Sequence, residues 1–191
     1  GAELLKSAGH AGAAVASLHP AQSFASPEQA VQRLAGSWFT LAGDADAEPV
    51  ARKIVTALGG HLATTAIRDR ALYHAALCVL SNYQVAVVDL GCTVLEEAGL
   101  TREEAERVAR PLARGTAENI ESVGPVQALT GPIERGDVKT VERHLASLAA
   151  LPESFAQLYR RLGLHTVEVA LRKGGLAPEE AQALRKLLKE S

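Results

Sequence analysis

Residues 68–98 constrain this chain most. They read as one continuous helix, about 46 Å long at 1.5 Å per residue, closed by Gly99. Its flanks are Leu, Val and Ala. At 100° per residue, His74, Cys78, Ser81, Val85 and Cys92 fall within roughly 60° of one another, with Asn82 and Asp89 at the margin. A polar stripe on an apolar helix must either bond other helices or line a cavity.

That helix divides two textures. Before it, short elements alternate. Residues 2–8 look helical. Residues 13–18 are an apolar run that ends at His19-Pro20 and reads as a buried strand. Ser26-Pro27-Glu28 carries a helix start, with Ser at the N-cap and Pro at the first helical position. Residues 38–42 form a second strand, 46–58 a helix closed by Gly59-Gly60, and 61–67 a third strand. Strand–helix–strand–helix–strand argues for a parallel α/β sheet. After the long helix the chain is helical almost throughout. Thr101 to Glu104 is a capping-box pattern opening a helix to about Val123, with Pro111 as a candidate kink. A breaker-rich loop follows at 124–137. Asp137 can cap a helix over 138–149, Pro152 opens one to about Lys173, and Ala177-Pro178 starts the last, ending near Glu190. The expected architecture is α/β followed by all-α. Residues 1–67 would be the later part of a Rossmann-type parallel sheet, and residues 68–191 a helical substrate and dimerisation domain.

Composition narrows the function. Aromatics are 4% of 191 residues, so aliphatic side chains and Ala must build the core. The net charge is −2, and no basic stripe is present. Nucleic acid is therefore not an expected partner. No apolar run is read as approaching the roughly 18 residues that span a bilayer, so no membrane is expected. Residues 1–4 have neither the basic leader nor the apolar block of a signal peptide. Cys78 and Cys92, in apolar helical sequence, fit a reducing cytoplasm. The six histidines show no metal-ligand spacing, and there is no P-loop, H-E-x-x-H or G-x-S-x-G.

Three constellations could carry chemistry. The first is His19 with Gln22 and Ser23, at the carboxyl end of a strand, where open α/β sheets bind ligands. The bland reading is a histidine that bonds the loop backbone. The second is the helix stripe, where His74 could act as general acid and Asn82 hold a carbonyl or hydroxyl. Its rival is a set of satisfied polar groups at a helix or dimer interface. The third is the loop at 129–137. Thr130, Arg135 and Asp137 could converge on a ligand there, Arg135 suiting a carboxylate or phosphate, with Asn119 facing the same cavity. The rival is an Arg135–Asp137 latch.

The motifs, in order, are His19-Pro20-x-Gln22-Ser23-Phe24, Gly43-Asp44, Arg70-Ala71-x-Tyr73-His74-Ala75-Ala76, Ser81-Asn82-Tyr83, Asn119-Ile120, residues 128–137 (ALTGPIERGD) and His144-Leu145. This series resembles the bacterial Rossmann-like proteins that carry the C-terminal domain of unknown function 2520, from about His19 to Leu164. Such proteins are similar to ketopantoate reductase, pyrroline-carboxylate reductase and the 6-phosphogluconate dehydrogenase group. The resemblance implies an NADP-dependent oxidoreductase acting on a small carbonyl, imine or hydroxyl compound, with a homodimer formed through the helical domain. By that resemblance His19 and Ser23 lie near the nicotinamide end of the cofactor, and His74 and Asn82 sit on the long interdomain helix as the catalytic residues. The residues themselves add Gln22 at the cofactor and Asn119, Thr130 and Arg135 at the substrate. Related reductases use a catalytic Lys and Asn on the long helix. No Lys stands there in this chain, and His74 is the substitute. The glycine-rich strand–turn–helix that holds the pyrophosphate is also missing. About 90 residues of such a half are expected to precede Gly1, and without them the chain should bind NADP poorly and catalyse nothing. The alternative is a non-catalytic oligomerisation or nucleotide-sensing module.

Overall fold

The fold is seen in a computed structural model that describes residues 5–189. The expected α/β-then-helical architecture is present. The element order is α1 (Lys6–His10), β1 (Ala16–Pro20), α2 (Pro27–Arg33), β2 (Trp38–Gly43), α3 (Glu48–Ala57), β3 (His61–Leu62), α4 (Arg70–Leu80), α5 (Asn82–Glu97), α6 (Arg102–Gln127), α7 (Val138–Leu148), α8 (Glu153–Lys173) and α9 (Pro178–Lys189). The first residues of the helix expected at 2–8, and the leader reading of residues 1–4, lie outside the described residues, as does the last helix's expected end at Glu190. The chain divides into two compact units between Ala86 and Val87, inside α5.

In the first unit a three-stranded sheet has the order β1-β2-β3. Only β2 and β3 are parallel; β1 runs antiparallel to β2, with Leu18 opposite Leu41 and His19 opposite Thr40. This corrects the all-parallel expectation, and the cause is local. A parallel crossover must return the chain to the strand's starting end. Here the α2 excursion is cinched shut at the end it left: Gln22 Nε2 donates to Ser37 Oγ at 3.3 Å, Arg33 Nη1 to Ser23 O at 3.2 Å, and Ala21 N to Trp38 O at 2.7 Å. The chain therefore re-enters the sheet beside Pro20. β3 is also shorter than expected, and its ladder ends where Ala63 N donates to Phe39 O at 2.8 Å. Phe39, Ala51 and Val55 are buried beneath the sheet and α3. Gly60 packs against the Phe39 ring, and an added Cβ would lie 2.5 Å from ring atom Cε2.

The expected single helix over 68–98 is two helices. Ser81 leaves helical angles at φ −125°, ψ −70°, and its hydroxyl lies 2.7 Å from Leu77 O and 2.9 Å from Asn82 Oδ1. A side-chain hydroxyl turned back on the carbonyl four residues earlier competes with the backbone ladder and bends a helix. Asp69 caps α4 through Leu72 N at 2.9 Å. Residues 71–88 carry no Asp, Glu, Lys or Arg. Helices α4 and α5 together are long and apolar enough, by length and composition, to cross a membrane, and almost none of that stretch is buried. This corrects the reading that no run approaches that length.

In the second unit, Ile133, Val141, Leu145, Val167, Leu184 and Leu188 form the centre of the core. Three of its features follow the sequence closely. Thr101 and Glu104 exchange the reciprocal bonds of a capping box at the start of α6. Asp137 caps α7. α6 is broken at Gly124, with φ 78° and ψ 162°, one residue past the expected end, while Pro111 sits inside regular helix. Arg102 joins α5 to α6 by reaching Asp89 (2.5 Å) and Glu96 (3.2 Å), and it also meets Glu106 at 3.2 Å. These three carboxylates raise the guanidinium pKa further.

Leu184 is fully buried, whereas Val31 on α2 is 78% exposed. In urea unfolding, Leu184→Ala should cost about 2–5 kcal/mol and Val31→Ala less than about 0.5 kcal/mol.

Candidate functional site

β1 ends in His19-Pro20, so its carboxyl end carries an imidazole. The strand fixes the His19 backbone, and the side chain is exposed, with no hydrogen bond among the described residues. Its ring meets the Tyr73 ring of α4 edge-on, with centroids 6.3 Å apart and planes at 81°. The Tyr73 hydroxyl is buried and has no hydrogen-bond partner among the described residues. A buried hydroxyl left unpaired costs roughly 1–3 kcal/mol, so it marks a place where a polar partner belongs.

Gln22 has a different role from the one its sequence position suggests. Its amide donates to Ser37 Oγ, and its carbonyl oxygen accepts from Ser23 N at 2.9 Å. Ser37 is buried, and its hydroxyl donates to Arg33 O at 2.5 Å. Both ends of Gln22 thus brace the loop. Ser23 offers its exposed hydroxyl, while its carbonyl holds Arg33.

On α4, His74 is exposed, with Nδ1 3.8 Å from Cys78 Sγ. Asn82 opens α5, is exposed, and turns its carbonyl oxygen to the Ser81 hydroxyl. Cys92, in the same expected stripe, is buried. His19, Gln22, Ser23, His74 and Asn82 belong to the first unit; Asn119, Thr130 and Arg135 belong to the second.

Asn119 is exposed on α6, and Thr130 and Arg135 are exposed in the 129–137 loop. That loop is built as an anchor. Ile133 enters the core, and Lys173 of α8 donates to Leu129 O at 2.7 Å and pairs with Glu134 at 3.0 Å. The close ion pair that ties the loop down is Lys173–Glu134, while Arg135 acts on the Asp137 carboxylate through its charge alone. Gly136, at φ 67°, lies so close to the Glu180 carboxylate that an added Cβ would collide with it. Asp137 accepts from Thr140 N at 3.0 Å and Thr140 Oγ1 at 2.7 Å, and these bonds hold its carboxyl pKa below the ordinary range.

A hollow of about 570 Å³ in the second unit is lined by Leu148, Leu151, Arg160, Arg161, Leu164 and Leu188, and by none of the expected site residues. Among the described residues no group of three His, Cys, Asp or Glu could hold a metal ion. Sequence pattern alone does not mark Tyr73 or Lys173 as functional. Tyr73 stood in the motif series, but its orphaned hydroxyl is a tertiary fact.

A small three-stranded sheet followed by a helical unit is an α/β-then-helical fold. The chain belongs to the family of the domain of unknown function DUF2520, whose profile matches residues 37–166. The His19 to Phe24 motif lies ahead of that match. Among solved structures, protein TM1727 from Thermotoga maritima is 28% identical with a TM-score of 0.66, over 83% of this chain and 62% of that one. BF3122 from Bacteroides fragilis, provisionally described as an NADP oxidoreductase, is 22% identical with a TM-score of 0.59, over 77% of this chain and 54% of that one. The chain thus spans about half to three-fifths of the length of these two proteins. No curated protein matches it.

Asp137 has a depressed folded pKa, so its stabilising contribution is complete above the ordinary Asp value of about 3.9 and is lost as pH falls through the lower folded value. Asp137→Asn keeps a capping side chain but removes this titration. Melting temperature followed from about pH 6 to about pH 2 should fall less steeply in the variant than in the parent.

Proposed function

We propose that this chain is the later part of an NADP-dependent oxidoreductase that transfers hydride to or from a small carbonyl, imine or hydroxyl compound. The observation that carries the reading is the free His19 imidazole at the carboxyl end of β1, beside the orphaned Tyr73 hydroxyl. β1 runs antiparallel, so this end lies beside the amino ends of β2 and β3. What supports the reading is an exposed imidazole with no hydrogen bond of its own among the described residues, next to an unpaired hydroxyl. The residues present fit the nicotinamide end of a dinucleotide, which needs a few polar groups beside apolar surface. The described residues include no glycine-rich turn for the pyrophosphate. Bound NADP would supply the hydride chemistry, and the protein positions and polarises. His19 and Ser23 face the cofactor, and Gln22 braces their loop. His74 donates or accepts the substrate proton, Asn82 holds the reacting oxygen or nitrogen, and Asn119, Thr130 and Arg135 orient the rest of the substrate. The protein works in the cytoplasm.

The working form in this reading is a homodimer. Leu72, Val79, Leu80, Tyr83 and Val85 are 54–70% exposed on α4 and α5, and Leu112 and Val123 of α6 are exposed too. A soluble monomer rarely leaves such a surface open. A second copy, presenting the same uncharged faces, is the occupant proposed. The same surface favours the second reading, a non-catalytic oligomerisation or nucleotide-sensing module.

In the protein that carries this chain, His74→Ala should cut NADPH-dependent turnover by about 10²–10⁴-fold and leave the oligomeric state unchanged. Unchanged cofactor oxidation with loss of the dimer would favour the second reading. Sedimentation should show a dimer for the parent and a monomer for Leu72→Glu with Val79→Glu. A monomeric parent, or a species that sediments only with lipid vesicles, would overturn the dimer.

A further inference from the structure

Among the described residues two histidine–tyrosine pairs meet edge-on. His144 and Tyr159 meet edge-on, with centroids 6.0 Å apart and planes at 88°, and His144 Nδ1 lies 2.8 Å from the Tyr159 hydroxyl. His19 and Tyr73 meet at 6.3 Å and 81° and make no hydrogen bond. The His19–Tyr73 pair is edge-on like the His144–Tyr159 pair but lacks its hydrogen bond.

The backbones beneath the open pair are fixed. His19 sits in the ladder opposite Thr40. Tyr73 lies in the first turn of α4, where its own N–H donates to Asp69 O at 3.0 Å and the Asp69 side chain caps Leu72 N. The His19 side chain is exposed, and an exposed side chain changes rotamer quickly beside backbone movement. The driving force is also present. The Tyr73 hydroxyl is buried without a partner, and the His19 imidazole is the polar group its ring already touches.

We propose that Tyr73 is the positioning residue for His19: its hydroxyl donates to one nitrogen of the neutral imidazole, so that the other ring nitrogen carries the proton and presents it to the ligand. An imidazole that accepts at one nitrogen is fixed in one tautomer and one ring orientation. His19 then meets a bound carbonyl or amide oxygen as a donor of defined direction. Only this last consequence rests on the oxidoreductase reading; the tautomer itself does not.

The test is ¹⁵N nuclear magnetic resonance of the histidine rings in the 191-residue chain, at about pH 8, where an imidazole of ordinary pKa is neutral. In the parent, the two His19 nitrogens should be widely split, as in a single tautomer, like those of His144. Tyr73→Phe should draw the His19 pair together toward the average of a tautomer mixture and leave His144 unmoved. Tyr159→Phe should do the reverse, which calibrates the size of the effect. Identical His19 shifts in the parent and in Tyr73→Phe would overturn the proposal. NADPH added to the protein that carries this chain separates the two readings. A His19 signal that ignores NADPH while the Tyr73 effect persists contradicts the oxidoreductase reading and upholds the role of Tyr73.

Discussion

The constraint that weighs most on this structure is an apolar helical run left exposed by the described residues. Residues 71–88 hold no charged side chain, and Leu72, Val79, Leu80, Tyr83 and Val85 stand well exposed on α4 and α5. Apolar surface in water costs about 25 cal/mol per Å², so such a face persists in a folded protein only when something covers it. The same stretch also carries His74 and Asn82, and Tyr73 on its more buried side. In the proposed function, chemistry and assembly would share one element. A substitution there can disturb either, and only a paired readout of turnover and mass tells them apart.

The 129–137 loop shows how a motif can be structural and still leave room for function. Ile133 plugs the core, Lys173 ties down Leu129 and Glu134, and Asp137 caps α7. Within that rigid frame Thr130 and Arg135 remain exposed. Rigid scaffolds that present a few free polar groups are where binding residues tend to stand. The distinctive residues of the loop thus fall into two sets, and the anchored set explains why Thr130 and Arg135 sit at fixed places.

What the sequence made legible was local. The caps at Ser26, Thr101 with Glu104, and Asp137 are bonds over three residues, and each appears as read. The order of helices and strands and the change of texture followed from periodicity. What stayed hidden depended on side chains meeting across distance. The antiparallel sense of β1 rests on Gln22–Ser37 and Arg33–Ser23 bonds, 15 and 10 residues apart. The break at Ser81 rests on one hydroxyl turning back, and Ser-Asn within an apolar helix gives no hint of it. Gln22 read as a ligand donor because spacing could not show that both of its ends bind the loop. Tyr73 read as part of a motif because nothing in its neighbours reveals a hydroxyl without a partner.

The most direct measurement of the central claim is amide hydrogen exchange along residues 70–97 at increasing protein concentration. If a second copy covers this face, protection of α4 and α5 rises with concentration while the buried core around Val141 and Leu184 stays constant. Exchange that is fast at every concentration, or protection that ignores it, would contradict the account.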